Sequence, residues 1–409
     1  MSCRITCMSL RTVASSVPGT PRSPSNSRNG DMAGLTLNAG SLAEALLARG
    51  PASYAPWLDR GPHLELIEQR ALPELRSEAW RHTNISRWYQ TVLNGNESVA
   101  QSRRIEFAGA VEVVDFEESR AAELLELRGD ELYQLSAHPI AALNAMLLGA
   151  GVAIRVPARG GRLHPVRVVD LPASYQRILM IVESGAEAEL IEEPSPFTHR
   201  LVELVVQSGA RLLHRRLQAA SPHRDCSLVA VRVEANANYE LAQLSLGGDL
   251  RRNDIVATLS GESAHVTLRG AWRLDGTRHL DNQVAVHHDA PGGTSRQTYR
   301  GVAGGRSRAV LNGRIEIAPG AQRSDASLST KNLLASDTAE VYAKPELEIY
   351  ANDVKCSHGA TVGAIDEDAV NYFRTRGIDG QTARSLFVRG FLREAIDDVE
   401  TARRLGVIQ

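Results

Sequence analysis

Aromatic residues are scarce. Phe, Trp and Tyr make up 5% of the 409 residues, too few for a platform on which single-stranded bases stack. An excess of positive charge is missing too. A net charge of −2 at pH 7 gives no electrostatic footprint for nucleic acid as the main partner. Lysine is nearly absent: Lys331, Lys344 and Lys355 are the only three, and they lie in one short stretch. Cysteine is confined to Cys3, Cys7, Cys226 and Cys356. With no CxxC pair, this excludes a disulfide framework and a four-ligand zinc spacing, and it fits a reducing compartment. No run of 18 apolar residues occurs, so no membrane span is indicated. The nearest candidate, residues 139–154, contains Asn144, Gly149 and Gly151 and reads as a buried helix turning into a strand. GxxxxGK[ST], GxSxG and HExxH are all missing, so the chain itself carries no nucleotide-phosphate loop, serine elbow or zincin helix.

What is present divides the chain into four parts. Residues 1–31 are rich in Arg, Ser and Pro with no acid before Asp31. They lack an apolar core for a secretory signal and read as a disordered or mis-assigned start, with an organelle transit peptide as the alternative. Cytoplasmic location is expected, with organelle targeting by this tail left open. Residues 32–150 are mainly helical: Ser41 opens LAEALLAR, which Gly50 and Pro51 stop. Leu64, Leu66, Ile67 and Ala71 mark a second helix ended by Pro73. Trp80, Trp88 and Tyr89 follow at near-helical spacing and read as core. Residues 111–116 form one early strand, and residues 138–148 a further helix.

From Val152 the hydrophobic period becomes two. VRVVDL, ILMIVES, LVELVVQ, LVAVRVE, YELAQLSL, DIVATLS and AVLNGRIEI follow one another, punctuated by Gly, Asn, Asp and Ser. A turn residue followed by Ala recurs at SGAEAEL, SGARLLH, ANANYEL and GESAHVTL, at steps of roughly 24 to 27 residues. That period, made of strands, marks a solenoid. No helical patterns alternate with the strands, so a doubly wound sheet is disfavoured. The fold expected is mainly β: a right-handed parallel β-helix over residues 151–362, with a β-sandwich as the alternative. Residues 363–409 are helical again. A helix runs to Arg376, a second covers about 382–396 with Leu386, Phe387, Phe391 and Leu392 near one face, and a last short one ends near Leu405. Arg384, Arg389 and Arg393 ride outside the second. That face is either solvated or docks an acidic partner. The end coils of a solenoid expose strand edges that must be capped or paired, and a second similar chain could pair with them.

Two clusters stand out chemically. His287, His288 and Asp289 are the densest, but adjacent strand residues face opposite sides, so this reads as a strand end running into the turn 290–293, with His288 a turn residue. Carboxylate pairs such as Glu192 and Glu193 are frequent, and none sits in an apolar setting that would raise a pKa. In residues 344–363, KPELEIYANDVKCSHGATVG, Cys356 and His358 stand two apart. On a strand they point to one face and can address one metal, sulfur atom or partner surface. The plainer alternative is a core thiol and a hydrogen-bonded turn histidine.

The run from His288 through DAPGGTSRQTYRGV, then GRSRAVLNGRIEIAPGAQRSDASLSTKNLLAS, then KPELEIYANDVKCSHGATVGAIDEDAVNYFRTRGI resembles the C-terminal half of the SufD family of iron–sulfur cluster assembly proteins. EAWRHTN and PIAALNAMLL in the N-terminal part are in keeping. The resemblance implies a right-handed β-helix with helical flanks. It implies a heterodimer with a SufB-like paralogue, and a SufC-like ABC ATPase at the C-terminal helices, where Phe387, Phe391, Arg384 and Arg389 are docking candidates. It further implies a cysteine desulfurase that delivers sulfur. The family's functional Cys and His fall on Cys356 and His358, as sulfur-relay or iron candidates. His358 is the metal ligand candidate, at a site shared with another subunit. SufB-like chains have a Cys just before the pair matching Leu333 and Leu334, and an acidic, Cys-free version of the CSHGA motif. Here Thr330, Lys331 and Asn332 stand before the pair, so the resemblance is to the SufD partner. Two protein ligands fall short of the usual four, so a cluster held here is expected to be transient and at the subunit interface. Flavin is left unassigned. The expected role is a non-catalytic assembly subunit, able to form a homodimer in isolation, with no nucleic-acid or membrane partner. The alternatives are a β-helix carbohydrate-active lyase or hydrolase and a purely structural homodimer.

Overall fold

The computed structural model describes residues 39–49, 52–69, 72–73, 77–94, 102–128, 132–158 and 163–396. The expected tail with Cys3 and Cys7, and the expected last helix near Leu405, lie outside the described residues. Helices α1 (Ala39–Arg49), α2 (Gly61–Glu68) and α3 (Ile85–Asn94) come first. Two short strands follow, β1 (Arg104–Phe107) and β2 (Glu112–Asp115), then α4 (Arg120–Leu127) and α5 (Ile140–Leu147). The early strand expected at 111–116 is β2; β1 adds a second that periodicity did not reveal, since its side chains are mostly exposed.

Sixteen strands then wind in succession. They are β3 (Ala150–Val156), β4 (His164–Asp170), β5 (Tyr175–Val182), β6 (Glu187–Glu192), β7 (His199–Val206), β8 (Arg211–Gln218), β9 (Arg224–Val233) and β10 (Asn238–Ser245). After these come β11 (Leu250–Leu259), β12 (His265–Leu274), β13 (His279–His288), β14 (Thr294–Ala303), β15 (Arg308–Ile317), β16 (Asp325–Leu334), β17 (Glu340–Ile349) and β18 (Lys355–Ala364). Helices α6 (Glu367–Thr375) and α7 (Gly380–Arg393) close the described chain.

Odd-numbered strands from β3 form one nine-stranded sheet with β2, and even-numbered strands form another with β1. Each strand pairs in parallel with the strand two places on. The fold is therefore a parallel β-helix, and the sandwich alternative falls because a sandwich would need antiparallel neighbours. Only β1 with β4 and β2 with β3 run antiparallel, and these two lie over the edges of the first coil. At the far end β17 and β18 have, among the described residues, a neighbour on one side only.

The sequence explains which faces are covered. In β6, β8 and β10 buried and exposed positions mostly alternate, because one face looks inward and the other meets solvent. β5 and β7 are buried at all eight positions. Their largely apolar second halves suit a strand covered on both faces: Leu179, Ile181, Leu201 and Val205 pack outward against Phe116, Leu124 and Ala145 of the N-terminal region. The aromatics Trp80, Trp88 and Tyr89 are core, as expected.

Turns stack as regularly as strands. Gly185, Gly209, Asn236, Ser263, Gly292 and Arg323 all have positive φ. Each donates its backbone N–H to a carbonyl in the turn of the following coil, as Gly185 does to Ser208 and Gly209 to Ala235. The coils lengthen along the axis. Glu187 pairs with Arg211 and Arg211 with Asn238, steps of 24 and 27 residues; Thr294 pairs with Asp325, a step of 31. Strand length grows from 6 residues in β6 to 10 in β12 and beyond. The repeat expected at 24 to 27 holds only for the early coils.

Inside the coils a column of buried amides replaces apolar side chains at one corner. Gln218 donates to Asn253 (2.7 Å), Asn253 to Asn282 (2.9 Å), and Gln243 also to Asn282 (3.0 Å). Such polar groups are tolerated inside because each bonds to an amide of an adjoining coil, although the Asn282 Nδ2 group has no acceptor. His288 ends β13, fully buried, with Nε2 2.8 Å from Ser295 Oγ. The turn-residue expectation is corrected: the turn begins after it, and its side chain takes the inward position that strand alternation dictates. His287 faces out, its Nδ1 3.2 Å from Glu316.

Two predictions follow from this frame. A Cβ added at Gly209 would meet no atom within 4 Å, so Gly209→Ala tests backbone strain alone; urea unfolding is expected to show a loss of about 1 kcal/mol. Burial also pulls the imidazoles of His199, His279 and His288 down to about 4. The unfolded chain, titrating near 6.5, binds more protons than the folded one below that pH. Stability is therefore expected to be full above pH 6.5 and to fall as pH drops toward 4, by about 1.4 kcal/mol per pH unit for each histidine. Unfolding curves at pH 7, 6 and 5 check the slope.

Candidate functional site

The last coil is incomplete on its outer side. Its two ten-residue strands, β17 and β18, carry free edges, an arrangement folded chains blunt or pair. Strand β18 contains both residues singled out from the sequence. Cys356 lies in register with Ala326 and His358 with Leu328, and both of those side chains are buried. Cys356 thus extends the column Tyr239, Val266, Ser295, Ala326, and His358 extends Leu241, Leu268, Gln297, Leu328. The thiol and the imidazole face the interior of the solenoid at its mouth. Both are half-buried, and among the described residues no further coil lies over them. His358 Nδ1 is buried without a hydrogen-bond partner, the condition of a group whose partner comes from outside.

The rim around them is apolar in part. Tyr350 is 60% exposed, and Tyr342 and Val362 also stand out. His82 of the EAWRHTN segment stacks on Tyr342, ring centroids 4.0 Å apart. The same segment straps earlier coils: Arg252 lies 3.7 Å over the Trp80 ring, and Thr83 Oγ1 donates to Asp281 at 2.6 Å. A stretch that looked merely helical and aromatic thus pins the N-terminal region to the late coils. Of the segment Thr330, Lys331 and Asn332, the first and last are buried, while Lys331 reaches Glu394 at 3.6 Å.

The C-terminal candidates are distributed more subtly than the sequence suggested. α7 packs Val388 and Leu392 against Leu244, Ala271 and Val302 of the solenoid. Phe391 joins that contact and is half-buried; Phe387 is half-buried and Leu386 exposed. Leu392 therefore belongs to the inner face and Leu386 to the outer, because successive residues turn by about 100°. Arg384 is exposed and pairs with Glu367 of α6 at 2.6 Å. Arg389 is half-buried and, with Arg273, Arg384 and Leu386, lines an open groove of about 660 Å³ between α7 and the solenoid.

Among the described residues no three His, Cys, Asp or Glu side chains gather closely enough to hold a metal ion. Cys356 and His358 could supply two ligands of a site completed by another chain. Among the described residues no helix is long and apolar enough to cross a membrane.

Comparison with known proteins decides the family. The model described as "SUF system FeS cluster assembly, SufBD core domain" matches residues 167–391, more than half of the chain. The chain belongs to the SufBD family. Among curated SufBD relatives, the Escherichia coli iron–sulfur cluster assembly protein SufD is 34% identical over 241 residues, 55% of this chain and 56% of that protein. Protein ABCI7, chloroplastic, of Arabidopsis thaliana is 36% identical over 238 residues, 56% of this chain and 50% of that protein. An iron–sulfur cluster assembly SufBD family protein of Synechocystis is 26% identical over 286 residues, 64% of this chain and 63% of that protein. The chain spans about half the length of the first two.

The two cysteines in the described residues should differ sharply in reactivity. Burial pushes the Cys226 thiol far up, with its side chain 1% exposed, whereas Cys356 stands at the mouth. In a Cys3→Ser, Cys7→Ser variant of the isolated chain, a thiol reagent is expected to label one site within minutes in the folded state. The second site should appear only on unfolding. Mass mapping of the first adduct to any residue other than Cys356 would contradict the assignment.

Proposed function

We propose that the chain is a non-catalytic subunit of a SUF iron–sulfur cluster assembly complex. Its open last coil meets a SufB-like paralogue, and its α6–α7 surface docks a SufC-like ABC ATPase. The observation that carries this is β18: a ten-residue strand that, among the described residues, pairs along one edge only, with a thiol and an imidazole aimed into an unfinished coil. A related solenoid offering its own last strand would satisfy the free backbone groups, and side chains from that partner would bring the ligand count toward four. The cluster is cargo here. Thiolate and imidazole both suit iron, and thiolate suits sulfur passed on from a cysteine desulfurase. Two ligands per chain make for a site that releases what it holds.

Membership of the SufBD family and the similarity to a protein named SufD support the assembly role. On the ATPase side, α7 combines exposed Leu386 and half-buried Phe387 with Arg384 and Arg389. That mixture of apolar anchors with a cationic fringe suits a protein partner.

Co-expression with SufB-like and SufC-like chains is expected to give one complex on a sizing column, and the chain alone is expected to hydrolyse no ATP. In that complex His358→Ala is expected to weaken iron retention after anaerobic reconstitution by at least ~tenfold, the loss that even outer-shell partners produce, with complex assembly intact. Separate elution of the three chains, or undiminished iron with His358→Ala, would sink the assignment.

A further inference from the structure

The outward face of the odd-numbered sheet is treated differently along its length. Over β5 and β7 the N-terminal region covers it, and both strands are buried throughout. Over β11, β13 and β15 several outward positions are only half-buried. An open groove of about 750 Å³ crosses these strands and reaches Glu346 of β17. The chain between α4 and α5 walls one side, through Leu132, Gln134 and His138, with Ala79 of the EAWRHTN segment also on the wall.

The charges along this face are unevenly matched, because each cation is shared. Arg252 is held by both Asp254 and Asp281, at 2.9 Å each. Arg314 is held by Glu316 (3.0 Å) and Glu348 (2.7 Å). Lys344 is held by Glu346 (2.7 Å) and Glu78 (3.4 Å). Asp289, on the lining of the groove, has no ion-pair partner among the described residues. Seven carboxylates therefore stand on three cations. Two flanking cations, Arg81 of the EAWRHTN segment and Arg232 beside Thr258, leave a surplus of negative charge. The acids stand on neighbouring strands about 4.8 Å apart, where like charges repel. A carboxylate that shares its cation also keeps lone pairs free for a further N–H donor. Asn312 Oδ1, on the floor, is buried without a donor, while Arg314 Nε is left over in the opposite sense. Among the described residues no three acidic or histidine side chains converge closely enough for a metal ion. The acids are strung along the groove, so the fit is to a row of cations and not to one.

We propose that this groove docks a basic, extended segment of a partner protein, its Arg or Lys heads on Asp289, Glu316 and Glu346. The aliphatic stems of such residues suit the apolar part of the groove, Ala285 and Leu132. Opposed charge of this kind sets which partner is accepted and in which register. The proposal goes beyond the assembly role and does not rest on it, since the isolated chain suffices for the test.

The test uses the full-length chain at constant, low ionic strength. The probe is a short fluorescent peptide of alternating Arg and Ala, with an alternating Glu and Ala peptide as its counterpart, read by anisotropy. The Arg peptide is expected to bind saturably and the Glu peptide not at all. The triple variant Asp289→Asn, Glu316→Gln, Glu346→Gln is expected to weaken binding roughly tenfold. It leaves Arg314 with Glu348 and Lys344 with Glu78, so the fold should stand. Ala137→Arg, at an exposed position on the lip, is a second block should the triple variant misfold. Glu106→Gln, Glu187→Gln, Glu240→Gln removes the same charge from the other sheet and is expected to retain binding. No binding of the Arg peptide, equal binding of the Glu peptide, or equal loss in both triple variants overturns the proposal. Tighter binding after removal of residues 1–31 would overturn it too, by assigning the groove to the chain's own Arg-rich segment.

Discussion

Each coil of this molecule is held by backbone hydrogen bonds to the coil before it and the coil after it, and such a ladder has no natural end. Every other feature answers to that constraint. At the start, the chain ends the ladder itself by turning two short strands antiparallel across β3 and β4. At the far end it makes no such provision within the described residues, and β17 and β18 keep their outer donors and acceptors. The difference between the two ends marks one as a stop and the other as a joint. Cys356 and His358 draw their interest from the joint rather than from their spacing. In any earlier coil the same two positions are filled by side chains such as Tyr239 and Leu241, and are fully covered.

The interior is less oily than a solenoid core needs to be. Amides from four strands form a hydrogen-bonded column, and Glu192 gathers cations at the corner beside it. Each polar group costs desolvation that only a well-aimed partner offsets. Parallel stacking makes such aim simple, because equivalent positions of successive coils come into register. Polar residues near a coil corner therefore fix which rung meets which, something interchangeable Val and Leu side chains specify weakly.

Much of this was legible in the sequence. The change of period at Val152 and the recurring turn residues gave a solenoid, because alternation and left-handed turns are local properties. The all-buried β5 and β7 could be seen as apolar runs, but what covers them could not, since that contact joins segments distant along the chain. His288 was misjudged as a turn residue because a strand's last rung and the first turn residue look alike in composition; only the inward position separates them. The EAWRHTN segment looked like a piece of helix, whereas its aromatic and hydroxyl groups bind Arg252 and Asp281 more than 150 positions away. Glu192 was noticed as one of a carboxylate pair. Its cationic surroundings come from β7, β8 and the neighbouring coil, and no reading of nearest neighbours reveals them. The candidate thiol and imidazole were found by motif resemblance, while their place at the mouth of the solenoid had to come from the structure.

The progressive lengthening of the coils has a consequence for how such a chain can change. Early and late windings differ by several residues in circumference, so they are not interchangeable parts. Duplicating a late winding into the early region would leave a ledge with unpaired backbone, and transplanting an early one to the mouth would leave the layer beneath it partly uncovered. A body shaped like a funnel has a fixed order of assembly written into its girth, and it can be extended without penalty only at its wide end.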